Sequence, residues 1–126
     1  MNIVDSSGWL EYFGGTQNGE RFAPVIGNND ELIVPTIILY EVYKRVLLQR
    51  DEEEALKAAG LMSNFHSIDL TSEIALSAAD LSIQYKLPMA DSIILATARS
   101  QDATLWTQDE HFKGLEKVVY IQKIRT

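Results

Sequence analysis

Short apolar runs of strand length alternate along this chain with longer stretches in which apolar residues recur at helical spacing. Asn2-Ile3-Val4-Asp5, Leu32-Ile33-Val34, Ser67-Ile68-Asp69-Leu70, Thr104-Leu105-Trp106-Thr107 and the segment from Val118 to Ile121 read as brief strands. After the first of them, Ser6-Ser7-Gly8 turns the chain into a helix at Trp9-Leu10-Glu11-Tyr12-Phe13, which Gly14-Gly15 closes. The spacing predicts further helices over about 37–50 behind Pro35 and Thr36, over 52–64, and over 72–86 behind an N-cap at Thr71. Another starts at Pro88, whose missing N–H costs nothing at a first helical position. A weaker helix over 17–27 is interrupted by Gly19 and Pro24, and a helical turn carries His111 and Phe112. Ile74, Ala75, Ala78, Leu81 and Ser82 repeat as a core stripe.

Apolar strands this short, alternating with helices, predict an α/β fold: a central, mainly parallel sheet of four to five strands with helices on both faces. No internal repeat, low-complexity segment or long linker divides the chain, so residues 1–126 are expected to form one domain. In open sheets of this kind ligands bind beyond the carboxyl ends of the strands.

Against that frame the stretch from Leu87 to Arg99 stands out, because it plants a carboxylate on an apolar face. Counting on from Asp91 in helical steps gives Ile94, Leu95 and Ala98, so the acid shares the stripe that points into the core. A charge there needs a partner, unless Asp91 only complements the positive end of the helix dipole. Asp5 and Asp109 each follow a predicted strand, and Glu41 lies one to two turns into the 37–50 helix. Order and spacing thus allow all four acids to meet at one edge of the sheet. The plainer role for Glu41 is a surface pair with Lys44 or Arg45, worth a few tenths of a kcal/mol.

Composition narrows the chemistry. Lys plus Arg number 11 against 18 Asp plus Glu, a formal net charge of −7, which excludes a protein that coats nucleic acid by bulk electrostatics. Any nucleic-acid contact has to be local or mediated by cations. The run from Asp51 to Glu54 reads as the solvated start of a helix, and the last fourteen residues are net basic. With no cysteine, thiolate metal sites, disulfides and a cysteine nucleophile are excluded, in keeping with a reducing cytosol. The first residues show no secretion-signal pattern and no stretch is long and apolar enough to span a bilayer, so a cytoplasmic protein without membrane contact is expected.

Clustered carboxylates repel one another and drive protonation unless a hard dication neutralises them. Oxygen donors without cysteine or paired histidines favour Mg²⁺ or Mn²⁺ over zinc. Magnesium prefers a site completed by substrate phosphate, so the expected reaction is metal-assisted attack of water on a phosphodiester. Asp5, Asp91 and Asp109 would hold one or two cations. Glu41 would ligate a second ion or take a proton from the attacking water. Ser6, Ser7 and Thr107 would orient carboxylates or waters through their hydroxyls, although serines after a strand more often cap the next helix. His66 and His111 lack the spacing of a ligand pair and are left out of the site. Lys44, Arg45 and Arg99 are candidate phosphate contacts or solvated helix faces. Trp9, Tyr12, Phe13, Tyr40 and Tyr43 read as core or as a subunit contact.

These residues resemble the PIN domain family, and more narrowly the VapC-type ribonuclease toxins. Asp5-Ser6-Ser7 after an N-terminal strand is similar to the family's opening Asp-Thr/Ser-Ser, with Ser6 where threonine is common. Glu41 matches the helical glutamate, and Asp91 in Pro-Met-Ala-Asp-Ser-Ile-Ile-Leu-Ala-Thr-Ala matches the central aspartate. Thr107-Gln108-Asp109 with Phe112 resembles the Thr-x-Asp-x-x-Phe ending. The resemblance covers nearly the whole chain and rests on the order and spacing of motifs that are individually weak. It implies an α/β/α sandwich that cleaves RNA with Mg²⁺ or Mn²⁺, commonly a homodimer, held inactive by a small antitoxin. Two other readings stay open: a catalytically silent binding or scaffold module of the same fold, and a haloacid-dehalogenase-like phosphatase with Asp5 as nucleophile. The second lacks the acid such enzymes carry two residues on, where this chain has Ser7.

Overall fold

Ile3, Val4, Leu32, Ile33 and Leu105 are at most 1 % exposed, which is what apolar strands buried on both faces require. In the computed structural model, which describes residues 1–124, these strands belong to one sheet of five: β1 (Asn2–Val4), β2 (Leu32–Pro35), β3 (His66–Ile68), β4 (Thr104–Thr107) and β5 (Val118–Tyr120). Their order across the sheet is β3-β2-β1-β4-β5 and every pairing is parallel. Six helices connect them: α1 (Ser6–Phe13), α2 (Gln17–Gly27), α3 (Thr36–Gln49), α4 (Glu52–Met62), α5 (Ser72–Tyr85) and α6 (Met89–Ser100). The α/β class and the parallel sheet are as the alternation predicts.

The strand order decides where a ligand can sit. From β1 the chain moves outward to β2 and β3, then returns to lay β4 and β5 on the other side of β1. Connections therefore leave the ends of β1 and β4 in opposite directions, and the crevice opened beyond those two carboxyl ends is the topological switch point of the sheet.

Local chemistry sets several boundaries. Asp51 caps α4 by accepting the Glu54 amide at 2.8 Å, with Glu52, Glu53 and Glu54 in the first turn where the helix dipole favours them. Thr71 does the same for α5 through the Ile74 amide at 3.2 Å. Several details differ from the sequence reading, and the helix over 52–64 and the last strand each end one or two residues early, at Met62 and Tyr120. α1 starts at Ser6 rather than Trp9, because Asp5 itself is the N-cap. β3 lies one to two residues earlier than the predicted 67–70. Pro88 is the N-cap of α6, one place before its first turn. Ala75 is exposed, while Ile74, Ala78 and Leu81 of the same stripe are buried.

The largest correction concerns α2, which runs unbroken through both Gly19 and Pro24. Pro24 faces solvent, and Thr16 caps the helix through the Gly19 amide at 3.0 Å. Gly19 is where α2 crosses α1: a Cβ there would stand 2.3 Å from the Glu11 carbonyl oxygen. Helix contact overrides propensity, so a residue that would weaken an isolated helix is what permits this one to dock. Replacing Gly19 by Ala is expected to cost about 3 kcal/mol, since backbone has to move. Gly60→Ala in α4, where a Cβ meets nothing within 4 Å, should stabilise by about 0.5–1 kcal/mol. Urea unfolding of the two variants checks the opposite signs.

Candidate active site

Asp5, 3 % exposed, leaves the end of β1 and turns directly into α1. Its Oδ1 accepts the Ser6 amide at 2.7 Å and the Ser6 hydroxyl at 3.4 Å; its Oδ2 accepts the hydroxyls of Ser7 at 3.2 Å and Thr107 at 2.8 Å. The two serines therefore hold the carboxylate instead of capping the helix. Thr107, fully buried at the end of β4, also accepts the Asp109 amide at 2.9 Å. One hydroxyl thus ties the carboxylate after β1 to the backbone of the acid after β4. A further brace comes from buried Asn18 on α2, which donates to Gln108 at 2.6 Å.

The remaining acids close on this pair. Asp91 stands in the first turn of α6 and Glu41 in the second turn of α3. Asp109 caps a short 3-10 turn, Glu110–Phe112, by accepting the His111 amide at 2.9 Å. The structure therefore brings Asp5, Glu41, Asp91 and Asp109 to the switch point. It also adds His111, which the sequence reading left out for want of a second histidine at ligand spacing. The His111 Nδ1 lies 2.8 Å from Asp91 Oδ2 and 3.3 Å from Asp109 Oδ1. His66 is elsewhere, on the edge strand β3. The aromatic residues divide: Trp9 is fully buried and stacks on Phe13, whereas Tyr40 is 58 % exposed.

Electrostatics follow from this packing. Burial pushes Asp5 up from 3.8 to about 6 against the pull of Thr107 and the Ser6 amide, with the charges of Asp91 and Asp109 adding to the rise. Glu41 is raised by burial and then by the charge of Asp5, with the Ser6 hydroxyl moderating the rise. Asp91 is raised by burial, offset in part by His111, and His111 is raised by its hydrogen bond to Asp91 and the charge of Asp109. Among the described residues no lysine or arginine pairs with any of the four acids. Lys44 instead lies 3.4 Å from the Tyr40 hydroxyl, so the surface-pair role for Glu41 is not what the side chains adopt.

This donor set fits a hard dication. Asp91, Asp109 and His111 each present one ligand atom, all within 4.8 Å of one another. Glu41 Oε1 is buried without a hydrogen-bond partner, and so is free to accept a cation or a proton. Beside it, Ser6, Leu10, Tyr40, Glu41, Lys44, Arg45 and Leu48 line a cavity of about 380 Å³ that mixes acid with base.

The PIN domain family model matches residues 3–118. The chain belongs to the PIN domain family. This PIN domain is similar to the solved toxin-antitoxin complex from Klebsiella pneumoniae, at 23% identity and a TM-score of 0.79 over 98% of this chain and 100% of that one. It is also similar to VapC20 of Mycobacterium tuberculosis, a toxin that cleaves the sarcin–ricin loop (13% identity, TM-score 0.73, 90% of this chain and 92% of that one). A third likeness is to DNA-bound VapBC from Salmonella typhimurium (16% identity, TM-score 0.73, 97% of this chain and 98% of that one). At such identities the likeness is one of fold. No curated protein matches the sequence. In the PIN domain described here, no helix is long and apolar enough to cross a membrane.

Proposed function

We propose that this PIN domain is a metal-dependent endoribonuclease, the toxin of a toxin–antitoxin pair, acting on RNA in the cytoplasm. The observation that carries the reading is the meeting of four carboxylates at the switch point, one of them almost fully buried, with no lysine or arginine paired to them among the described residues. A purely structural module gains nothing from that arrangement, which costs stability. The similarity to solved toxin complexes supports the toxin role.

Asp5, Asp91 and Asp109 are the residues that would hold Mg²⁺ or Mn²⁺, and Glu41 is placed to join them or to accept a proton from the attacking water. The bound ion would lower the pKa of water and offset charge on the phosphate. Ser6, Ser7 and Thr107 fix the direction of the Asp5 carboxylate, and Thr107 also holds the Asp109 amide. Lys44 and Arg45 at the rim of the Glu41 cavity are placed to meet the phosphates flanking the scissile one. A chain of net charge −7 suits a particular structured RNA better than RNA at large. The exposed apolar residues Tyr40 and Leu47 of α3 offer a face for a homodimer, and a small antitoxin completes the expected partners.

The test is cleavage of structured RNA by purified protein with Mg²⁺ or Mn²⁺. EDTA should abolish it, and Asp91→Asn should reduce it by about 10³-fold or more. Cleavage that persists in EDTA, or survives the substitution, would refute the mechanism.

A further inference from the structure

His111 has no part in the proposed mechanism, yet its ring nitrogen contacts two of the acids. Nδ1 lies 2.8 Å from Asp91 Oδ2 and 3.3 Å from Asp109 Oδ1. Adjacent ligands around an octahedral dication with bonds of about 2.1 Å stand roughly 3 Å apart, close to both distances from Nδ1, and the three donor atoms all lie within 4.8 Å of one another. The ring is also held in place. Phe112, the next residue, is fully buried, and the His111 amide donates to Asp109 Oδ1 at 2.9 Å, so the 3-10 turn fixes backbone and ring against the same carboxylate.

We infer that His111 is a nitrogen ligand of this centre and biases it toward Mn²⁺ over Mg²⁺. In the metal-free chain the Nδ1 proton bridges to Asp91; a dication takes the place of that proton, with Nε2–H left facing solvent. Magnesium prefers oxygen donors and gains little from an imidazole, whereas manganese and the later divalent metals gain more as nitrogen is added. The acids alone would accept either ion, so the histidine is the residue that separates them.

The inference rests on the metal-dependent reading proposed above, and the experiment keeps the two apart. Calorimetric titration with MnCl₂ and with MgCl₂ is run on the wild-type chain and on His111→Ala, with pulsed EPR of the Mn²⁺-loaded proteins. Because the side chain is more than half exposed, the variant should fold normally. The expected result is a ¹⁴N coupling to Mn²⁺ in the wild type that disappears in His111→Ala. Mn²⁺ affinity should fall by about 10–100-fold and Mg²⁺ affinity by less than about threefold. Mn²⁺ binding without ¹⁴N coupling would overturn the inference and leave the nuclease reading standing. So would an unchanged ratio of the two affinities, which would make the ring only an internal counter-ion for Asp91. A wild type that binds no Mn²⁺ at millimolar concentration would overturn both.

Discussion

Asp5→Asn should make the metal-free protein more stable at neutral pH while abolishing hydrolysis. In the folded chain Asp5 is raised from 3.8 to about 6, mainly by burial. A carboxyl raised on folding contributes its stability below the unfolded value and loses it as pH climbs through the folded one. At about 1.4 kcal/mol per pH unit, the ionised form at pH 7 carries a penalty of about 3 kcal/mol relative to acid conditions. Asparagine removes the charge and keeps the acceptor for the Ser6 amide, but weakens the bonds from Ser7 and Thr107, leaving an expected gain of about 1–2 kcal/mol. Glu41, Asp91 and His111 are raised in the same direction. In EDTA, therefore, wild-type stability should fall from about pH 4 to pH 7, and the variant should show a shallower fall and cross above it. Guanidinium unfolding at several pH values reads this out. Adding Mn²⁺ at about a hundred times its dissociation constant should stabilise the wild type by about 2.7 kcal/mol and the variant much less. RNA cleavage by the variant should drop by about 10³-fold or more. A variant less stable than wild type at pH 7 in EDTA would mean that the Asp5 hydrogen bonds outweigh its desolvation.

Asp5 shows why so much of the candidate site is legible in the sequence. An acid directly after an apolar strand sits at the sheet's carboxyl edge whatever the details of packing, and Asp5 and Asp109 both do. Asp91 was legible because a charge on the Ile94–Leu95–Ala98 face contradicts the pattern of its own helix. What the pattern hides is contact between elements remote in sequence. Nothing local in Gly19 tells a helix weakener from a crossing point, since the decisive neighbour is the Glu11 carbonyl on another helix. Ser6 and Ser7 were ambiguous for a related reason: both roles need a serine after a strand, and only the helix starting at Ser6 decides between them. His111 gives no ligand-pair signal, because His66 does not stand at ligand spacing from it. The available signal was different, an Asp-x-His step after a strand, which a 3-10 turn folds back so that ring and carboxylate converge.

Thr107→Val is expected to uncouple the two halves of the site. The hydroxyl donates to Asp5 Oδ2 and accepts the Asp109 amide, in a position with no exposure to solvent. Valine fills the same volume but offers neither bond, leaving a half-buried amide unpaired and the raised Asp5 without the donor that most favours its ionised form. The cost should be about 2–3 kcal/mol in unfolding free energy. The loop after β4 is then free to carry Asp109 off line, and misdirected ligand carboxylates typically cost about 10–100-fold in metal affinity or turnover. The loss should appear in kcat and in the Mn²⁺ dissociation constant more than in KM for RNA, because no phosphate contact is touched. Thr107→Ser separates the bridge from mere packing: it keeps the hydroxyl and gives up one methyl, so stability should fall by about 1 kcal/mol while turnover stays near wild type. Equal turnover in the serine and valine variants would show that the hydroxyl does not align the site. Serine rescue of both metal affinity and kcat would establish that one buried oxygen holds the acids after β1 and β4 in register.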